Sequence, residues 1–270
     1  MAQLFGFSRA EFYRSVDTIA ARDQALRDEI HAIAIDWPRY GYRTITFELR
    51  RRGWVVNEKR VRRIMRADGL QCRRRKGRGL PYRRHDLRTY PNLAAGIKPT
   101  GIDQLWVADF TYVRLLGAFI FVAVVLDAFS RRCIGWSLAT HYRTELTLEA
   151  LRMALRRRRP PKGLVHHSDR GVQYADKEYV GELRDHGIEI SMSRVGTPSD
   201  NALCERFMRT FKEEEVLIRE YADLADARRS IARYLDVTYN SRRLHSALGY
   251  RPPAEFEQLH LESLLTPIPA

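Results

Sequence analysis

Leu164-Val165-His166-His167-Ser168-Asp169-Arg170-Gly171-Val172-Gln173-Tyr174 reads as a short apolar strand that runs out into a polar turn with an aspartate at its mouth. A carboxylate at a strand end sits on the rim of a sheet, where it can face solvent, a metal ion and a substrate together. Upstream, Trp106 to Leu115 is rich in β-formers (Val107, Phe110, Tyr112), Phe119 to Leu126 is a more apolar strand, and Cys133 to Ala139 is a third. Short turns separate the three, as in an antiparallel meander. Thr144 can cap a helix that runs to about Arg158, with Leu148, Leu151 and Leu155 inward, until Pro160-Pro161 stops it. After the quoted strand come a helix from Asp176 to His186, a strand at Ile188 to Met192 and a helix opening near Ser199 or Asp200. Three strands, helix, strand, helix, strand and helix make a mixed α/β layout, the order of an RNase H-like sheet.

The front of the chain has a different texture. Residues 1–35 read as helical, with Ser8 and Glu11 as a possible capping box. A second helix is expected from about Thr18 to Ile35, with Ile19, Leu26, Ile30 and Ile33 or Ala34 on one face, before Trp37-Pro38 breaks it. Thr44 can cap a short helix that Gly53 closes, and Asn57 can cap another that ends at Gly69. On this last helix Val61, Ile64 and Met65 share a face while Lys59, Arg60, Arg62, Arg63 and Arg66 cover much of the rest, as on a helix that enters the DNA major groove. An ordinary amphipathic helix with a solvated charged face is the competing reading. Cys72 to Arg88, with Arg73, Arg74, Arg75 and Lys76, reads as a basic linker that tracks phosphates. The expected organisation is therefore a small basic all-α helix-turn-helix-like region at 1–70, a linker at 71–102, an α/β catalytic core with a C-terminal helix at 103–260, and a tail at 261–270.

Composition narrows the function classes. The net charge of +14 is uneven, +13 in residues 1–100 and +1 in the remainder, which points to a polyanionic partner held by the front third rather than to a solubilising surface. No apolar run approaches the roughly 18 residues of a membrane span. The N-terminus lacks the features of a secretion signal. Cys72, Cys133 and Cys204 are odd in number and far apart, which argues against a disulfide framework or a cysteine zinc site and fits a reducing cytoplasm.

Two further acids give Asp169 its weight. Asp109 lies within the first strand among apolar neighbours, and Glu205 lies on the last helix named above. On that helix Leu203, Phe207 and Phe211 form a buried stripe, whereas Glu205, Arg209 and Lys212 form a second stripe that can face substrate, with Asn201 one turn before Glu205. Three carboxylates brought together repel one another and take up protons. A pair of Mg²⁺ ions relieves that repulsion, because Mg²⁺ prefers carboxylate oxygen and keeps sites for water and phosphate. Two such ions can clamp a phosphodiester on both sides.

Asp109, Asp169 and Glu205, with 35 residues between the last two, resemble the DD(35)E triad of retroviral-type integrases and transposases. His167-Ser168-Asp169-Arg170-Gly171-Val172-Gln173-Tyr174 and the run from Ser191 to Ala202 resemble motifs of the IS3-family insertion-sequence transposases. So do Tyr239 to Pro253, Tyr40-Gly41-Tyr42-Arg43 and Val55 to Val61. The resemblance implies a DDE recombinase of the second-open-reading-frame type, in which Asp109, Asp169 and Glu205 hold two Mg²⁺ ions (Mn²⁺ can substitute). It also implies nicking of a transposon end and strand transfer by the freed 3′-hydroxyl. Its expected partners are double-stranded DNA, at least one further copy of the chain on that DNA, and the upstream-frame product or a frameshift fusion with it; no membrane is involved. No sustained heptad appears, so the chain reads as the downstream product, acting in the bacterial cytoplasm and on the nucleoid when bound to DNA.

Secondary candidates have bland alternatives. Asp127 is a possible fourth acid or a turn residue, and His166 and His167 are possible ligands or hydrogen-bonding supports. Arg156 to Arg159 can meet phosphate or complement a helix dipole. The rival functions are a catalytically silent DNA-binding repressor, a relic transposase fragment and a plain nuclease. The intact triad argues against a silent repressor, and the basic front argues against a plain nuclease.

Overall fold

The computed structural model describes residues 9–71, 89–115 and 118–265, with side chains in the first helix from Asp23 onward. The chain divides into two compact units, Met1–Gly77 and Arg78–Ala270. The first holds α1 (Arg9–Asp36), α2 (Tyr42–Arg51) and α3 (Glu58–Ala67). Where two front helices are expected from the sequence, α1 is one continuous helix. Ser8, Ile19 and the run 72–88 with Arg73, Arg74, Arg75 and Lys76 lie outside the described residues or side chains. Leu26, Ile30 and Ile33 of α1 are buried with Ile45 and Leu49 of α2 and with Val61, Ile64 and Met65 of α3. Asn57 caps α3 as expected, its side chain accepting from the Lys59 N–H. Thr44 does not cap α2: the cap position is Gly41, and Thr44 lies inside the helix. Gly53, at φ +86°, turns the chain after α2 in the left-handed region where a side chain is strained.

The second unit is built on β1 (Leu105–Arg114), β2 (Phe119–Asp127), β3 (Cys133–Ala139), β4 (Val165–Ser168) and β5 (Glu189–Met192), in the spatial order β3-β2-β1-β4-β5. The first three pair antiparallel, and β4 runs parallel to both β1 and β5, which is the RNase H-like arrangement expected from the element order. Helices α4 (Thr144–Arg158), α5 (Val172–Ala175), α6 (Lys177–Asp185), α7 (Ala202–Glu214), α8 (Leu224–Ala232) and α9 (Pro253–Leu265) complete it. The one-turn α5 is not legible in the sequence. Thr144 is the first residue of α4 rather than its cap, which is Arg143.

Residue alternation splits β1 cleanly. Leu105, Val107 and Val113 join Phe207 and Phe211 of α7 in one core, while Trp106 and Ala108 join Leu151, Ala154 and Tyr179 in the other. With both faces covered, β2 needs side chains that are apolar on both sides, hence its near-continuous run. After α8 the chain continues as a π-helical stretch, Arg233–Arg242, whose Asn240 both accepts from the N–H and donates to the C=O of Cys133, at 2.9 Å each. Arg243 grips Glu214 at the end of α7 with two bonds, at 2.8 and 2.9 Å.

Candidate active site

The site arises where one strand ends. Pairing between β1 and β4 stops at Val107–His167, so Asp109 and Asp169, each two residues further on, lie side by side at the point where β4 gives way to a turn. From Ala108 onward that edge of β1 has no strand partner among the described residues. The entry to α7 covers it: Asn201 is buried, and its Nδ2 donates to the Ala108 carbonyl oxygen at 3.1 Å. This places Asn201 as a tether next to Asp109 rather than on the open stripe of Glu205. The turn after β4 is closed by Asp169 itself, which accepts from the Gly171 N–H at 2.9 Å.

Both aspartates are half-buried, still open to solvent on one side. Burial pushes the Asp109 carboxyl up to about 8, and the neighbouring charges of Asp169 and, more weakly, Glu205 add to the rise. The Phe110 N–H and the Lys212 charge oppose it without cancelling it. Burial also raises Asp169, against the opposing Gly171 N–H. Two adjacent carboxylates that both favour the proton form a site short of positive charge, which is what a divalent cation supplies. Glu205 stands further out, exposed in the first turn of α7. Among the described residues no three Asp, Glu, His or Cys side chains converge into a ready-made metal group. The structure thus brings together Asp109 and Asp169, with Glu205 nearby on the helix that covers the edge.

The remaining candidates fall into distinct places. Arg209 is exposed, and Lys212 is half-buried with its ammonium 4.7 Å from the centre of the Tyr112 ring. His167 is buried, with Nδ1 2.8 Å from Ser191 Oγ and Nε2 3.1 Å from Ser193 Oγ. Ser191 Oγ already accepts from the N–H groups of Leu93 and Ala94, so its proton goes to His167 Nδ1 and the imidazole is the neutral Nε2–H form. Both ring nitrogens are spent, and His167 is a brace. Burial pushes His166 down to about 3, and its Nε2 meets the Tyr179 hydroxyl at 3.0 Å. Asp127 is a turn residue: it accepts from the N–H groups of Ser130 and Asp103 and shares the Ser130 hydroxyl with Glu257. Arg157 pairs with Asp236 and Arg158 with Glu257, so two of the four arginines ending α4 are structural. On α3, Lys59, Arg62, Arg63 and Arg66 are exposed, whereas Arg60 turns back to pair with Asp23 of α1. A cleft of about 520 Å³ beside α4, lined by Arg152, Arg156, Arg159 and His186 among others, includes none of the three acids.

Two stretches of the second unit, residues 99–198 and 186–253, match models of an integrase core domain, and residues 21–78 match an HTH-like domain. The "uncharacterized 31 kDa protein" of insertion element IS600 from Shigella sonnei is 36% identical over 265 residues, 96% of this chain and 97% of that one. The transposase InsF of insertion sequence IS3A from Escherichia coli is 36% identical, covering 83% of this chain and 78% of that one. The chain belongs to the IS3-family insertion-sequence transposases. A third relative, the transposase for insertion sequence element IS904 from Lactococcus lactis, is 35% identical over 82% of this chain and 88% of its own length. As an IS3-family member the chain is a DDE-type transposase, with a DNA-binding HTH-like domain ahead of its integrase core. Among the described residues no helix of this transposase is long and apolar enough to cross a membrane.

Proposed function

We propose that Asp109, Asp169 and Glu205 are the catalytic carboxylates of this transposase, and that they act on DNA ends with two Mg²⁺ ions, for which Mn²⁺ can substitute. The observation that carries this reading is the side-by-side placement of Asp109 and Asp169, both with raised proton affinity and both open to solvent. A proton is what neutralises the pair in a metal-free chain, and a divalent cation competes for the same oxygens. When bound, the two ions polarise the phosphodiester and activate the attacking oxygen. Asn201 fixes the start of α7 against β1 and so sets where Glu205 stands, while Arg209 and Lys212, further along α7, meet the phosphates of the strand being cut.

In the first step water attacks a phosphodiester at a transposon end. The new P–O bond forms as the old one breaks, and the departing 3′-hydroxyl takes up a proton. That 3′-hydroxyl then attacks a second phosphodiester by direct transesterification: its oxygen bonds to phosphorus as the 3′-oxygen of the attacked strand leaves and takes up a proton, without a covalent protein–DNA intermediate. Residues 1–70 recognise DNA through Lys59, Arg62, Arg63 and Arg66, residues 71–102 follow phosphates through Arg73, Arg74, Arg75 and Lys76, and residues 103–260 carry the chemistry. Two ends must be held together, so at least two copies act on one DNA, joined by the upstream-frame product or a fusion containing it.

The test incubates the protein with labelled terminal-repeat DNA and Mg²⁺ or Mn²⁺. Wild type nicks and joins, whereas Asp169→Ala loses roughly a thousandfold or more of both steps and keeps its DNA affinity. Joining that survives in Asp169→Ala would remove Asp169 from the chemistry.

A further inference from the structure

Near the carboxylates, on the sheet face that β1 turns away from Asp109, the strands end in a row of aromatic rings, three of them exposed. Tyr112 of β1 lies directly opposite Phe121 of β2, so the two share a sheet face. Phe119, two residues before Phe121, is on that face as well and meets Tyr112 edge-on, with ring centres 5.8 Å apart. Tyr142, just beyond β3, tilts onto Phe121 at 5.2 Å. Tyr112, Phe119 and Tyr142 are 43%, 54% and 58% exposed, an unusual cost for three adjacent rings unless something covers them.

The row is tied to the carboxylates at both ends. Lys212, whose charge acts on Asp109, sits over the Tyr112 ring, and Gln173, from the segment that follows Asp169, donates to the Tyr142 carbonyl oxygen at 2.6 Å. Its flanks are basic. Arg114, the register partner of Phe119, and Arg143, the neighbour of Tyr142, are both exposed, and neither has an acidic partner among the described residues.

Flat rings interleaved with unpaired cations are the surface that single-stranded nucleic acid recognises: bases stack on the rings, and phosphates meet the cations. Where a duplex end opens, unpairing costs a few kcal/mol, and a surface on which the freed bases stack offsets that cost. On the premise that Asp109 and Asp169 frame the reaction site, we infer that the Phe119–Tyr112–Phe121–Tyr142 row is a stacking shelf that holds unpaired bases of the DNA strand entering that site.

The test is equilibrium binding of the full chain in EDTA, so that no chemistry is needed, to a blunt duplex and to the same duplex with a short single-stranded extension. Wild type binds the extended duplex more tightly and quenches 2-aminopurine placed in the extension. Phe119→Ala/Tyr142→Ala weakens binding to the extended duplex roughly tenfold and leaves the base analogue bright, with blunt-duplex affinity unchanged. Both side chains are more than half exposed, so the fold survives, and Phe119→Tyr/Tyr142→Phe, which keeps the rings, binds as wild type. Asp169→Ala also keeps the preference, which separates failure of the carboxylate assignment from failure of the shelf. The inference is overturned if wild type shows no preference, if the alanine pair keeps it, or if the ring-preserving pair loses as much as the alanine pair. It is equally overturned if the alanine pair alters only the sedimentation of the DNA-free protein, because the row is then a contact between copies.

Discussion

Three acids of the sheet show how a residue's partners decide its role. Asp127 is buried, accepts from the N–H groups of Ser130 and Asp103, and shares the Ser130 hydroxyl with Glu257, so its oxygens are committed to the turn. Asp109 receives one, from the Phe110 N–H beside it, and Asp169 one, from Gly171, among the described residues. Their remaining lone pairs face a half-open site, which is the condition for binding a cation. The same scarcity makes Asp109 a burden on the metal-free fold. Its folded value lies near 8, well above the 3.8 of a free aspartate, so between those values the folded state holds a proton that the unfolded chain has lost. In EDTA the contribution of Asp109 to stability therefore falls as pH rises from about 4 to about 8, against the opposite contribution that buried His166 makes below about 6.5. Asp109→Asn flattens that slope and raises the Tm above wild type near pH 8, and Mg²⁺ stabilises wild type more at pH 8 than at pH 6; thermal melts across pH check both.

At the scale of elements, close approach and edge coverage do the positioning. A Cβ on Gly135 of β3 would stand 2.2 Å from the Ala150 carbonyl oxygen and 2.8 Å from the Ala154 backbone nitrogen of α4, neither of which is a flexible group. Gly135→Ala is expected to cost about 1–3 kcal/mol in urea denaturation by pushing α4 off the sheet. Coverage of the β1 edge explains why α7 begins where it does: β4 is only four residues long, and Asn201 supplies the bond that a longer strand would have made to Ala108. The periodic apolar stripes of α3, α4 and α7 were readable because each helix packs one face. The single span of α1, the short α5 and the π-helical stretch were not, since they answer to contacts distant in sequence, such as the Asn240–Cys133 pair. Threonines at 44 and 144 mark helix starts only approximately, because capping propensity is local and here the neighbouring residue takes the cap position.

For the whole molecule the governing quantity is where charge lies. The first unit carries the exposed face of Lys59, Arg62, Arg63 and Arg66, and the carboxylate site belongs to the second. Replacing those four residues by alanine should weaken DNA binding and reduce the slope of log K against log salt by about 1 for each phosphate that is no longer neutralised. Arg60→Ala serves as the internal comparison. Its pairing with Asp23 gives it little free charge to offer, so the slope should hold while stability drops only slightly. Salt titrations of both variants separate the two roles.

The amino-acid sequence by itself determined the order of the five strands and of α4, α6 and α7, the basic front and near-neutral core, and the three acids at their spacing, because periodicity, charge and spacing are properties of the chain. Only the tertiary structure decided which charges are spent. It placed Asp109 beside Asp169 through the β1–β4 register, left Glu205 exposed nearby, and closed both nitrogens of His167 with serine hydroxyls. It also paired Arg60, Arg157 and Arg158 internally and lined up Phe119, Tyr112, Phe121 and Tyr142 across strands. The physical reason is common to all of these: a carboxylate, an imidazole or a guanidinium takes its function from the groups within hydrogen-bonding and Coulomb reach, and those groups come from elements far apart in sequence.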